Sequence, residues 1–160
     1  MPDMTLAGFI GFMARAHERI EDATHRGLER ASRIVEDEAK REIGTYQDQA
    51  GPFGAWAELA DATKADRVAK GFTENDPLLR TGDMRDTISH VVGRHEAAIG
   101  SDSEIAVYQE LGTSRIPARS FLGGAAFRKA EEVATTLGHA AALGLVGRGD
   151  RIEISGPSSQ

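Results

Sequence analysis

The sequence contains no cysteine. Disulfides and thiolate metal or redox chemistry are therefore excluded, and a reducing compartment fits. Aromatic residues are scarce, at 6% of 160 positions with one tryptophan. Such a chain builds a modest core, and part of its apolar surface is expected to be buried between subunits. No stretch approaches the run of roughly 20 apolar residues needed to span a bilayer. No basic region precedes an apolar run at the N-terminus, so no signal peptide is expected. A surplus of positive charge is also missing: 19 Lys and Arg stand against 25 Asp and Glu, for a net charge of −6. A protein whose main task is neutralising DNA phosphates needs clustered Lys and Arg, so that class is disfavoured.

The usual signatures of catalysis are absent too. The five histidines form no H-x-x-x-H or H-E-x-x-H pattern. His17 and His25 lie too far apart on one helix to share an ion, and His90 and His95 flank a turn beside Glu96. The adjacent carboxylates Glu36, Asp37 and Glu38, and Glu131 with Glu132, point in different directions on a helix and cannot act as a convergent pair. Ser89 and Ser120 lack a nucleophile elbow. No G-x-G-x-x-G or phosphate-binding loop occurs, so no cofactor, metal or catalytic residue is expected. Arg148-Gly149-Asp150 matches an integrin-binding tripeptide, which at three residues carries little information.

What is present reads as an α+β chain. Residues 4–43 carry apolar or small side chains at helical spacing, from Leu6, Phe9, Ile10 and Met13 through Ala23, Gly27 and Ala31 to Val35 and Ala39. The stripe is thin and alanine-rich in its middle, which suits a partner helix lying close. Gly27 is expected to bend the helix. Gly44 marks its stop, and residues 44–58 form a loop bearing Tyr46, Phe53 and Trp56. A short helix is expected over 58–70 and a strand over 84–92. A turn at 93–96 and a return strand over 97–100 follow. Ser103 is placed to cap a helix over 104–111, with strand as the alternative. Residues 113–120 are extended around Pro117, and a last helix runs over 121–143. The expected domain is 1–147, with its sheet-containing core over 52–143 and a flexible tail over 148–160.

The stretch from Ile99 to Leu122 has the look of a docking segment. An apolar run ends at Gly112, and Arg115 and Arg119 flank Pro117. Phe121 and Leu122 then open an alanine-rich helix. Arg80, Arg85, Arg115 and Arg119 form the one suggestive basic set. In an acidic chain, the acidic face of a partner is a better match for them than a DNA backbone.

Two linked patterns carry a resemblance. The first is Trp56-x-x-Leu59 with Thr63 and Lys64, followed by P-L-L-R-T-G-D-M-R-D-T-I over Pro77–Ile88. The second is I-A-V-Y-Q-E-L-G-T-S-R-I-P-A-R-S-F-L-G over Ile105–Gly123. Together they resemble a tailed-bacteriophage family of head–tail joining proteins, known as neck, tail-component or tail-completion proteins, with relatives among Mu-like virion morphogenesis proteins. Met84 stands where that family usually has leucine, Leu111 where it has phenylalanine, and Ser120 where it often has a second proline. The last departure leaves the loop before Phe121 less rigid.

The resemblance covers about residues 52–135 and implies a non-enzymatic structural protein. The implied fold is a small antiparallel sheet packed by a long N-terminal helix and a C-terminal helix. The implied assembly is a homo-oligomeric ring in the virion, built in the bacterial host cytoplasm. Its partners would be portal-adaptor or head-closure proteins and tail-terminator or tail-tube proteins, with DNA only passing the lumen and no membrane involved. A negative lumen would repel that DNA. The interface residues implied are Arg80, Arg85, Tyr108, Glu110, Gly112, Thr113, Arg115, Pro117, Arg119 and Phe121. The competing expectation is a small cytoplasmic enzyme or regulator that uses the His90, His95 and Glu96 turn.

Overall fold

A computed structural model of the chain describes residues 5–146 of the 160. The flexible tail expected over 148–160, with its Arg-Gly-Asp tripeptide, lies outside the described residues. The long helix is there: α1 runs over Leu6–Glu42 without interruption, a rod about 55 Å long at 1.5 Å per residue. Thr5 caps it, its side-chain oxygen accepting from the amide of Gly8 at 3.1 Å. Lys40 and Arg41 occupy the last turn, where cations oppose the negative end of the helix dipole. Gly44, at φ +100°, then turns the chain.

After α1 come α2 (Asp61–Ala69), the single turn α3 (Asp83–Asp86), the strands β1 (Ser89–Val92) and β2 (Ala97–Gly100), and α4 (Glu104–Leu111). Two further helices, α5 (Leu122–Arg128) and α6 (Ala130–Val146), complete the described chain. The α+β class holds, with the hairpin in its expected place: β1 and β2 pair antiparallel, His90 opposite Ile99 and Val91 opposite Ala98.

Three expectations change. The strand expected over 84–92 begins only at Ser89. Gly82 adopts a left-handed conformation at φ 95°, and the chain leaves it as a helical turn. That turn places Met84 and Ile88, four residues apart, in the same core. The single helix expected over 121–143 is two. Lys129 sits at ψ 4° between α5, which keeps Ala125 fully buried, and α6, which follows α1. The C-terminal helices therefore pack chiefly on α1 instead of on the sheet, and the hairpin packs on α1 as well.

The bend expected at Gly27 is a close approach. A Cβ added there would stand 2.6 Å from Cβ of Ala140, and one added at Gly144 would stand 3.0 Å from Cα of Ile20 and 3.1 Å from Cβ of Ala23. The pairing of Gly27 with Ala140, and of Ile20 and Ala23 with Gly144, makes α6 antiparallel to α1. The stripe of small residues is the contact surface of two backbones.

The core lies at the other end of α1. Val35, Ala39 and Ile43 meet Trp56, Met84, Ile88, Ala106, Phe121 and Ala125 there. The loop expected over 44–58 supplies Trp56. Among the described residues, no helix is long and apolar enough to cross a membrane.

Substitution of Gly27 by alanine gains about 1 kcal/mol of helix propensity but drives a methyl group into Ala140 at an overpacking cost of about 1–3 kcal/mol. The variant is expected to unfold at lower denaturant concentration. Pairing it with Ala140→Gly restores most of the loss. Additive effects in the double variant would show that the two residues do not touch.

Candidate functional site

The segment from Ile99 to Leu122 folds around one carboxylate. Glu110, on α4, accepts hydrogen bonds from the amides of Phe121 (2.8 Å), Leu122 (2.9 Å) and Gly123 (2.9 Å) and from the Ser120 hydroxyl. It thus answers the free amides that open α5, where a negative charge also suits the helix dipole. The hydroxyl of Ser120 is part of this cap. Between α4 and α5 the chain closes a tight loop. Gly112 (φ 73°) lies so near Ala118 that a Cβ would approach its amide nitrogen to 2.8 Å, so only glycine fits. The amide of Arg119 donates to the carbonyl of Gln109 at 2.7 Å, and the amide of Thr113 to that of Ile116 at 2.8 Å.

Arg119 is 5% exposed and Phe121 0%. The Arg119 guanidinium donates to the carbonyls of Ala57 (2.8 and 3.0 Å) and Glu58 (3.1 Å), fastening the aromatic loop to the segment. The indole of Trp56 donates to the Ser120 carbonyl at 3.4 Å. These two expected interface residues are therefore spent inside the chain, and Glu110 and Gly112 likewise shape the loop from within. Thr113, Arg115 and Pro117 remain on the surface, with the hydroxyl of Thr113 accepting from the amides of Arg115 and Ile116. Tyr108 is half exposed. Arg80 lines one cleft with Arg119, paired with Asp66 at 2.9 Å and lying over the Phe72 ring, and Arg85 pairs with its neighbour Asp86. The structure thus does not gather the four arginines into one patch.

The outward face of α4 is apolar. Val107, Tyr108 and Leu111 share it with Glu104, and Ile105 stands at its rim. Leu111 is 74% exposed and Ile105 59%, while Ala106 on the opposite side is buried. A second apolar surface lies at the start of α1, where Leu6, Phe9, Ile10, Phe12 and Met13 are all exposed.

His90, His95 and Glu96 do not converge. His90 points away from the turn into α1, where Glu36 meets its Nδ1 and Glu29 its Nε2 at 3.2 Å. His95 and Arg94 both reach Glu21, at 3.7 and 2.7 Å, and Glu96 packs against Gly93. Among the described residues no three His, Asp or Glu side chains are grouped to hold a metal ion. The turn is instead one end of a row of carboxylates on α1 that clamps the hairpin.

Sequence reasoning missed this row, although Glu21, Glu29 and Glu36 recur at two-turn steps along α1. It also missed Glu42. That carboxylate is 1% exposed, bonded to Arg128 at 2.6 Å through one oxygen, while its other oxygen has no partner. Burial pushes the Glu42 carboxyl up to about 7, against the pull of Arg128. No spacing in the sequence marks it as buried.

The clamp has a defined pH dependence. The Glu36 hydrogen bond, aided by Glu29, holds His90 above its ordinary value of 6.5 against the opposing effect of burial. At Glu36, burial raises the carboxyl, but the bonds from Lys40 and His90 together bring it below the ordinary 4.5. The His90 bond, followed by that of Arg33, brings Glu29 below the same value. The histidine contribution is complete below 6.5 and is lost as pH rises through its higher folded value. The carboxylate contribution is complete above 4.5 and is lost as pH falls through the lower folded values. The clamp is therefore strongest at about pH 4.5–6.5.

In denaturant titrations, the stability difference between the parent chain and His90→Gln is expected to peak in that window and to shrink on the alkaline side. A difference flat from pH 5 to pH 9 would mean that His90 is not held by the carboxylates. Replacement of Glu110 by alanine strips four hydrogen bonds from the start of α5 and is expected to cost about 2–3 kcal/mol. Replacement by glutamine keeps one acceptor and costs less. Equal stability of Glu110→Ala and the parent would remove Glu110 from this role.

No family model, curated protein or solved structure matches the chain.

Proposed function

We propose that the chain is a structural virion subunit of a tailed phage, prophage or gene transfer agent, and that it forms a ring at the head–tail junction. In this role it joins the capsid connector to the tail, with other copies of itself as first partners. Portal-adaptor or head-closure proteins and tail-terminator or tail-tube proteins are the next partners, and DNA only passes through. The observation that carries the reading is the outward apolar face of α4. A helix that buries Ala106 and displays Val107, Tyr108 and Leu111 is patterned for a surface that another chain covers.

Three further features support it. The loop after α4 is held rigid by Glu110, Gly112 and Arg119 from inside, so Thr113, Arg115 and Pro117 are displayed in fixed positions. The start of α1 offers a second apolar surface at the far end of the molecule, as a subunit with neighbours on two sides requires. The two sequence patterns that carry the phage resemblance also share one core, through Met84 and Ile88 from the first and Ala106 and Phe121 from the second.

Leu111→Glu puts a charge on the exposed face without touching the core. It is expected to abolish ring formation, read by native mass spectrometry and negative-stain microscopy, while the melting temperature stays within about 2 °C of the parent. Particles assembled without this protein are expected to show heads and tails apart. Normal tailed particles in that deletion would overturn the joining role.

A further inference from the structure

Arg67 on α2 and Arg119 before α5 are each 5% exposed, and both line one cleft beside Leu78, Met84, Ile105 and Gln109. Neither has a carboxylate partner among the described residues. Arg67 spends Nε and Nη2 on Thr73 and on the Leu79 carbonyl. Arg119 spends the same two nitrogens on the carbonyls of Ala57 and Glu58. The Nη1 of each has no hydrogen-bond partner among the described residues, and neither is sealed from solvent. A buried cation answered only by neutral carbonyls is costly, and two in one cleft attract an anion. Burial lowers the Arg119 pKa, in keeping with a guanidinium that lacks a counter-charge.

The other groups in the cleft narrow the choice of anion. Arg80 shares Asp66 with Lys70, at 2.9 and 2.6 Å. Asp83 bonds Thr81 at 2.8 Å and adds one negative charge at the rim. Guanidinium forks match the planar geometry of a carboxylate. Leu78, Met84 and Ile105 offer apolar surface next to the charges, which suits an aliphatic substituent. Oε1 of Gln109 is buried without a partner. Turned by half a rotation, that amide places its NH2 group there as a further donor.

We propose that this cleft binds a carboxylate bearing an aliphatic substituent, whether a short-chain acid or an acidic side chain of a second copy. The site does not depend on the ring reading: it stands on two arginines without a carboxylate partner among the described residues and on the apolar lining beside them.

Hexanoate is the probe, titrated into the full chain while the arginine Nε–Hε resonances are followed by NMR. A saturable shift of the Arg67 and Arg119 signals is expected, and inorganic phosphate at equal ionic strength should give none. Ile105→Glu places a fixed carboxylate at the mouth. Because Ile105 is exposed, this variant keeps the fold, and it should weaken hexanoate binding at least ~10-fold. A response that never saturates, an equal response to phosphate, or unchanged binding in Ile105→Glu would each overturn the proposal. Sedimentation at high protein concentration separates the sources. If a second copy supplies the carboxylate, hexanoate dissociates an oligomer with the same concentration dependence. If the natural ligand is a free acid, the mass stays constant while the shifts saturate.

Discussion

The nearness of α1 and α6 sets the frame on which everything else is hung. Two helices normally pack with 8–10 Å between axes because their side chains keep them apart. Here Gly27 and Gly144 remove the spacer at two points, and backbones and Cβ atoms meet directly. The small residues bury little apolar area each, so the contact depends on fit more than on bulk. With α6 set along one side of α1, the row Glu21, Glu29 and Glu36 takes the hairpin. The C-terminal end of α1 is left to Trp56, Phe121 and the rest of the core. A scarcity of aromatic residues is thus compatible with an ordered fold, because the long helix organises two distinct kinds of interface at once.

A second level of organisation comes from buried charge. Glu110 and Arg119 sit on either side of the Gly112 loop and perform complementary tasks. The anion answers amides at the start of α5, and the cation answers carbonyls at the end of the aromatic loop. Neither uses the other. Each converts a stretch of irregular backbone, whose own groups would otherwise be left open, into a fixed scaffold. The outer surface of the segment, from Tyr108 to Pro117, is therefore positioned by polar groups that the surface itself hides.

Much of this was legible in the sequence. The 3.6-residue stripe of α1, the hairpin between Val92 and Ala97, and the helix after Ser103 all followed from local pattern, where periodicity and turn chemistry decide. The strand expected over 84–92 failed at its start because Met84, Thr87 and Ile88 suit either an extended or a helical reading. Gly82, in the left-handed region, decided between them. The split at Lys129 was invisible because alanine-rich sequence supports helix on both sides of it. Arg119 and Phe121 were expected at a subunit interface, and the structure buries both. Their burial is a tertiary fact: Arg119 meets the carbonyls of Ala57 and Glu58 some sixty positions away in the chain, and Phe121 joins the core with Val35 and Trp56. Glu42 and the clamp on His90 likewise depend on which elements come together, which no local window contains.

The reach of α1 back to Leu6 has a thermodynamic consequence. Among the described residues, Gly144 of α6 approaches the backbone of α1 at Ile20 and Arg19, and α1 runs back from there to Leu6. Nucleation is the unfavourable step in forming a helix, and the packed portion has already supplied it. Toward Leu6, α1 extends by propagation, each residue adding one hydrogen bond to a template that is already formed. Their opening free energy should fall smoothly toward Leu6 instead of dropping at a boundary, giving a graded series of amide exchange rates along a single helix.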